Sequence, residues 1–119
     1  MSSLAEGDGV VASALEIVAI EEAAGVSPES FSAAEQAYAA SKSDPVRRLA
    51  ARLAAKRAAA HLLAVDPAEV EVLPARGGPP RLRLSPRAER NLAELGARRT
   101  LLSLTHGRTH AAAAVLLLR

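Results

Sequence analysis

The chain has 119 residues, a length typical of one domain with one hydrophobic core. Hydrophobic residues make up 50% of it, which excludes a disordered chain, and the absence of cysteine excludes disulfides, thiolate metal sites and a cysteine nucleophile. Aromatic residues make up only 2%, whereas alanine occurs 28 times. Since single-stranded nucleic-acid modules stack bases on aromatic side chains, we expect no nucleic-acid partner.

The small net charge of +2 conceals an uneven distribution of charge. Residues 1–45 contain eight acidic residues and one basic residue, whereas residues 46–119 contain fourteen basic and five acidic residues. One interpretation is that the two halves pack against each other, within a protomer or between protomers. The other is that the second half presents an anion-binding surface, and its preference for arginine suits bidentate contacts to phosphate.

No segment of the sequence has the pattern of a targeting signal or a membrane span. Residues 1–9 are polar and acidic, and we predict that they form a flexible tail ahead of a single domain over residues 10–119. The longest apolar run, Ala111–Leu118, is too short to cross a bilayer as a helix. We therefore expect a soluble, cytoplasmic protein with no membrane partner.

The first elements in chain order are a strand and a short helix. Val10–Ile20 combines Val, Leu and Ile with small residues, which predicts a mostly buried strand. A turn is expected at Gly25–Pro28. Ser32 and Glu35 then have the spacing of a capping box, which predicts a helix that ends near Ser41.

A long helix is expected next. Asp44 and Pro45 supply an N-cap and a first-turn proline, and the helical pattern continues to about Ala64. Its apolar stripe comprises Leu49, Leu53, Ala60 and Leu63.

The second half of the chain is dominated by strand patterns. Two short strands flank a Gly-Gly-Pro-Pro turn, a helix follows that begins at Pro86 and ends at Gly96, and two longer strands complete the chain. The four strands are Val70–Leu73, Leu82–Leu84, Thr100–Thr105 and Ala111–Leu118. This order predicts an α+β fold in which a largely antiparallel sheet packs with the long helix and shorter helices.

Five segments occur in an order that is typical of one family. Residues 15–20 read LEIVAI, residues 31–38 read FSAAEQAY, residues 52–61 read RLAAKRAAAH, residues 78–79 read GP, and residues 103–106 read SLTH. These segments resemble the D-I-V-E-I, F-T-x-x-E-x-x-Y, R-F-A-A-K-E-A-x-x-K, G-x-P and S-(I/L)-S-H segments of holo-acyl-carrier-protein synthases. These enzymes are the small type of phosphopantetheinyl transferase.

The resemblance implies a fold, a reaction and an assembly. Members of the family transfer phosphopantetheine from coenzyme A to a serine of a carrier protein, with Mg²⁺ bound at the interface between protomers of a homotrimer. Lys56, Ser103 and His106 match family positions near the phosphates and nucleotide of coenzyme A. We therefore expect these three residues to bind a coenzyme A-like ligand.

The sequence departs from the family pattern at the positions of the metal site. Glu16 stands where the family has an aspartate, Arg57 where it has a metal-binding glutamate, and His61 where it has a lysine. These three are the candidate catalytic residues. A guanidinium group cannot bind Mg²⁺, so we predict no metal ligand and expect no dependence on Mg²⁺.

Three arrangements of Arg57 are open at the sequence level. It forms a buried ion pair with Glu16, it binds a phosphate or carboxylate of the substrate directly, or it extends into solvent. His61 lies one helical turn after Arg57 and shares its helix face.

The family's carrier-binding helix differs as well. Where the family has arginines that meet an acidic carrier helix, this sequence has Glu21 and Glu22, which would weaken that contact. Three functional hypotheses follow: a repurposed homologue with metal-free chemistry or ligand binding, an atypical but active transferase, and a non-catalytic structural subunit. The expected partners are further copies in a homotrimer and a carrier protein or a carrier-linked substrate.

Overall fold

A computed structural model describes residues 9–74 and 77–119 of the chain. Its described part is an α+β domain, which confirms the predicted fold class. The strands are β1 (Val10–Ala19), β2 (Val70–Leu73), β3 (Arg81–Leu84), β4 (Arg99–His106) and β5 (His110–Leu118). The α-helices are α1 (Ile20–Ala24), α2 (Ala33–Ala40), α3 (Pro45–Leu63) and α4 (Pro86–Glu94).

The strands form two antiparallel sheets rather than one. The larger sheet has the order β1-β5-β4, and the smaller is the β2-β3 hairpin. Because β5 is central, its residues Ala111–Leu118 have partners on both sides. Ala113, for example, pairs with Glu16 on β1 and with Leu104 on β4.

The long helix α3 covers one face of the larger sheet. Its buried residues are mostly alanines, whose small side chains allow the helix to approach the strands closely. The sheet contributes Val18, Ala111, Ala113, Val115 and Leu117 to this core, all of them almost completely buried.

The opposite face of the same sheet is apolar and uncovered within the described chain. Leu15 and Ile17 on β1 are 66% and 60% exposed, and Leu101 on β4 is 46% exposed. Since successive side chains of a strand point to opposite faces, these residues alternate with those that contact α3.

The hydrophobic pattern does not predict helix α1, because the apolar strand pattern continues through Ile20, although the family resemblance places the carrier-binding helix at Glu21 and Glu22. In the structure the strand ends at Ala19, and the Ile20 N–H donates to the carbonyl oxygen of Thr109. A five-residue helix has little intrinsic stability, so its formation depends on contacts with other elements. Ala23 of α1 is buried in the core, a tertiary contact that the sequence pattern did not reveal.

Two helix ends follow the sequence prediction. Gly96, expected just beyond the end of α4, has φ of +85°, and Ala64, expected to end α3, has φ of 55°. The left-handed conformation is readily adopted by glycine, whereas it is strained for alanine.

Residues 1–8 of the predicted flexible tail lie outside the described residues. Gly9 is described: its carbonyl oxygen accepts a hydrogen bond from the Arg119 N–H at 2.7 Å. In the two described ranges, no helix combines the length and hydrophobicity needed to cross a membrane.

Candidate functional site

Helix α3 carries three of the six residues that the sequence singles out, and they have different environments. Lys56 is buried, Arg57 is half-buried and His61 is exposed. Arg57 and His61 lie one turn apart on the same side of the helix, as predicted.

Arg57 forms its ion pair with Glu22 and not with Glu16. Its Nη1 atom lies 2.7 Å from Oε2 of Glu22 on α1, and the two side chains are 35% and 47% exposed. The buried ion pair between Glu16 and Arg57, one of the three arrangements that the sequence left open, is therefore not formed. Helix α1, which the sequence pattern did not predict, supplies a second carboxylate close to α3, and Arg57 binds this one.

Glu16 lies on the helix-facing side of β1. It shares this side with Val18 of the core and is half-buried, next to Ala113 of the central strand. Its carboxylate forms no ion pair or side-chain hydrogen bond with any residue in the described ranges. Glu16 is thus a partly desolvated carboxylate that has no cationic partner in its own described chain.

His106 and Ser103 lie on opposite faces of the larger sheet. Ala111 pairs with Val18 and with His106, which places His106 on the side of α3. Ala114 pairs with Leu15 and with Ser103, which places Ser103 on the uncovered apolar face. The two predicted ligand contacts therefore do not face a common pocket within one protomer.

His106 lies near the beginning of α3, where its imidazole acts electrostatically on Asp44, the N-cap of this helix. A hydrogen bond from Arg48 is the main cause that lowers the pKa of Asp44, and the imidazole of His106 adds a smaller attraction. Arg57 lies about 20 Å further along the helix, at 1.5 Å per residue. His106 and the Arg57–His61 pair are thus at separate places in one chain.

Lys56 is an interior ion-pair residue rather than a visible ligand contact. Its side chain is 2% exposed, and its Nζ atom lies 2.8 Å from Oε1 of Glu35. The prediction that Lys56 contacts a cofactor stays a prediction; in this structure the ammonium group is enclosed and paired with Glu35.

Glu35 does more than form the capping box, which is the one role that the sequence predicts for it. The box is present, with Ser32 and Glu35 each accepting from the backbone N–H of the other. The same carboxylate also accepts from Lys56 and from the backbone N–H of Val72, at 2.7 Å. Only the spacing within α2 was visible in the sequence, whereas these two donors come from distant elements.

Arg52 is a further buried cation that the sequence analysis did not single out. It is 4% exposed, and its guanidinium carbon lies 4.1 Å from the centre of the Tyr38 ring. Its Nε has no hydrogen-bond partner in the described chain. Burial lowers the pKa of Arg52, and the attraction of Tyr38 opposes that effect.

Comparison with curated proteins identifies the family. The chain is 44% identical over 80 residues to the holo-[acyl-carrier-protein] synthase of Nitratidesulfovibrio vulgaris, covering 62% of this chain and 64% of that protein. It is 36% identical over 91 residues to the holo-[acyl-carrier-protein] synthase of Moorella thermoacetica, covering 72% of this chain and 71% of that protein. The chain belongs to the holo-[acyl-carrier-protein] synthase family. No family model matches the chain.

Solved structures of the family have the same fold. The synthase of Neisseria meningitidis superposes with a TM-score of 0.78 at 20% identity, covering 92% of this chain and 99% of that one. The acyl carrier protein synthase of Mycobacterium tuberculosis superposes with a TM-score of 0.72 at 29% identity, covering 92% of this chain and 97% of that one. A coenzyme A complex of the Chronobacterium ammoniagenes synthase superposes with a TM-score of 0.68 at 26% identity, covering 90% of this chain and 97% of that one.

The positions that resemble the family's Mg²⁺ site hold Glu16 and Arg57 in this chain. Mg²⁺ prefers oxygen ligands and is usually bound by one or two carboxylates together with substrate phosphates. Arg57 has five donors and no acceptor, and its charge repels a cation. Among the described residues, no group of three Asp, Glu, His or Cys is arranged to hold a metal ion. Of Glu16 and Arg57, Glu16 alone carries oxygen atoms that could bind a metal ion.

Proposed function

We propose that this chain is a cytoplasmic holo-acyl-carrier-protein synthase homologue that binds a coenzyme A-like ligand without Mg²⁺-dependent transfer of phosphopantetheine. The observation that carries the proposal is the Arg57–Glu22 pair. A guanidinium occupies the helix position where the family has a metal-binding glutamate, and its partner is a carboxylate of α1. The cation thus replaces a metal ligand, and the pair leaves Glu16 without a second carboxylate beside it.

Ligand binding is supported by charge and by family. A solved relative at 26% identity is a coenzyme A complex. Two of the predicted contacts, Ser103 and His106, are exposed or half-buried and so remain accessible for a ligand. Coenzyme A is strongly anionic, and the excess of arginine in residues 46–119 suits its phosphates.

Metal-free chemistry at the site would use Glu16, Arg57 and His61. Release of Glu22 would free the Arg57 guanidinium to bind a phosphate or carboxylate of a ligand. His61 lies one turn away, where it could exchange a proton with a group bound by Arg57. Glu16 would then be the one carboxylate of the site.

We propose further that the site is completed between protomers of a homotrimer. Ser103 and the exposed Leu15 and Ile17 share the uncovered sheet face, so a second copy that covers this face would approach Ser103. Burying such a face is favourable at about 25 cal/mol per Å². Light scattering is expected to give a trimer, and a stable monomer at micromolar concentration would contradict this.

A matched pair of variants tests which face is involved. Ile17→Asp places a charge on the uncovered sheet face and is expected to yield monomers. Leu95→Asp is the control, since Leu95 is 45% exposed at the end of α4, away from this face. Dissociation of both variants, or of neither, would contradict assembly through the sheet face.

An active but atypical transferase is the second candidate. The 44% identity to a curated synthase favours it, and Glu16 together with substrate phosphates would then be the metal's ligands. Carrier binding would have to tolerate the acidic Glu21 and Glu22 on α1. A third candidate, a structural subunit, would assemble with an active relative.

Intact-mass spectrometry of carrier proteins distinguishes these candidates. The chain is incubated with coenzyme A, Mg²⁺ and a panel of apo-carrier proteins, with an active synthase as the positive control. Calorimetry with coenzyme A alone is performed in parallel. We expect binding of coenzyme A and no gain of the phosphopantetheine mass. A gain that disappears in Glu16→Ala would establish the transferase, and absence of both binding and transfer would favour the structural subunit.

A further inference from the structure

A cleft lined by three arginines lies between β3, α4 and the start of β4. Its volume is about 220 Å³, and its arginines are Arg81 from β3, Arg98 from the segment before β4, and Arg99 from the first position of β4. All three residues are exposed. Two separate parts of the chain, β3 and the residues where β4 begins, thus bring positive charge to one concave surface.

The arginines of this cleft have no partners among the residues that the structure describes. None of the three forms an ion pair or a side-chain hydrogen bond there. Nearby arginines outside the cleft are different: Arg83 binds Glu71, and Arg87 lies 3.7 Å from Glu69. The protein therefore neutralises the neighbouring cations and leaves those of the cleft available.

The remaining lining defines the chemistry of a ligand. Glu89 is the one acidic residue of the lining, so the arginines keep a positive excess. Like charges around one cleft repel each other, and a bound anion relieves this repulsion. Guanidinium groups match phosphate oxygens in bidentate geometry, whereas the half-buried Leu82 and Leu84 provide an apolar wall beside them.

We infer that this cleft binds a phosphate anion, either as an inorganic oligophosphate or as the phosphate end of a nucleotide. The site does not rest on the function proposed above. Arg99 begins β4 and His106 ends it, so the two lie about 23 Å apart at 3.3 Å per residue. Binding in the cleft therefore involves a different surface of the protomer from His106.

Calorimetric titration with inorganic tripolyphosphate tests the inference. We expect wild-type protein to bind tripolyphosphate, and each of Arg81→Gln, Arg98→Gln and Arg99→Gln to weaken the affinity about fivefold to tenfold. The triple variant should lose one equivalent of binding per chain. Its control is the triple variant Arg47→Gln, Arg90→Gln and Arg108→Gln, which lowers the net charge equally outside the cleft and should retain the site.

Circular dichroism confirms that both triple variants are folded before titration, and the single variants provide the same test should a triple variant fail to fold. Equal losses in the two triple variants would overturn the inference, because net charge alone would then explain binding. Undiminished binding in the cleft variants, or no binding by wild-type protein, would also overturn it. Titrations with ADP and with pyrophosphate distinguish the two kinds of ligand. Tighter binding of ADP than of pyrophosphate, lost in the cleft variants, indicates a nucleotide. Equal affinities for the two compounds indicate an oligophosphate.

Discussion

The ammonium of Lys56 and the carboxylate of Glu35 form an ion pair 2.8 Å long in the interior of the domain, where the two side chains are 2% and 0% exposed. The carboxylate also accepts from the backbone N–H groups of Ser32 and Val72. One side chain therefore connects α2, α3 and β2. This arrangement satisfies the hydrogen-bonding needs of a buried charge, which would otherwise be costly.

The two partners should contribute unequally to stability. Glu35→Leu leaves the Lys56 charge and two backbone donors without an acceptor, and should lower the free energy of unfolding by about 3–5 kcal/mol. Lys56→Met should cost less, because the two N–H groups still hold the carboxylate. The double variant should recover part of the loss. Urea unfolding measures all three free energies.

The exposed pair provides the control for this experiment. Glu22→Gln, which removes the partner of Arg57, should cost about 0–1 kcal/mol, as is usual for surface ion pairs. Strictly additive losses at Glu35 and Lys56, or a larger loss for Lys56→Met than for Glu35→Leu, would refute the role assigned to Glu35.

A second prediction concerns Mg²⁺ and Arg57. A ligand that binds only the native state raises the melting temperature by mass action. Millimolar Mg²⁺ should leave the melting temperature of the wild-type protein unchanged, because residue 57, where the family has a metal-binding glutamate, is an arginine paired with Glu22. Restoring the family residues with Glu16→Asp, Arg57→Glu and His61→Lys should produce a rise with Mg²⁺. Thermal unfolding in Mg²⁺ and in EDTA provides the measurement.

The matched control keeps the charge of residue 57 and changes only residues 16 and 61. Glu16→Asp with His61→Lys should remain insensitive to Mg²⁺, since Arg57 is retained. A Mg²⁺-dependent rise in wild-type protein that Glu16→Ala abolishes would show instead that a metal site is present despite Arg57.

The regular elements could be predicted because their signals are local. The capping box of Ser32 and Glu35, the proline at the start of α3 and the apolar periods of β1 and β5 each lie within one segment. Helix α1 could not be predicted from its local pattern, since the strand pattern continues through Ile20 and so short a helix depends on tertiary contacts; only the family resemblance at Glu21 and Glu22 indicated it. The division of the strands into two sheets likewise depends on long-range pairing.

The candidate site was less predictable than the fold. Family resemblance singled out Arg57, but its choice of Glu22 over Glu16 depends on where α1 lies. The enclosure of Lys56 depends on α2 and β2 together. Charge patterning was more informative: the acidic first half supplies Glu22 and Glu35 to cations of the second half. This confirms that the two halves interact within one chain.

The end of α3 offers a stabilising substitution. Ala64 has φ of 55°, in the left-handed region that costs a residue with a Cβ roughly 1–2 kcal/mol. Ala64→Gly should therefore raise the free energy of unfolding by about 0.5–1 kcal/mol, after allowance for the greater freedom of glycine in the unfolded chain. Ala93→Gly is the control: Ala93 is exposed inside α4, so glycine there should destabilise by a similar amount. Destabilisation by both changes would contradict strain at Ala64.

The final prediction concerns acid stability and Glu71. Hydrogen bonding by Ser32 is the largest cause that lowers the pKa of Glu71, and the hydrogen bond from Arg83 lowers it further, whereas burial acts in the opposite direction. Since the pKa is lower in the folded state, the unfolded chain binds more protons below about pH 5. Glu71 therefore contributes stability that is present above the unfolded pKa and is lost as the pH falls through the folded pKa.

Glu71→Gln should remove this contribution, so that the free energy of unfolding decreases less steeply between about pH 5 and pH 3 than in wild-type protein. Arg83→Gln should reduce the slope only in part, because the contribution of Ser32 remains. Urea unfolding at several pH values measures the slopes, and the order wild type, Arg83→Gln, Glu71→Gln is expected from steepest to shallowest. A slope in Glu71→Gln equal to that of wild type would show that other carboxylates account for the acid sensitivity.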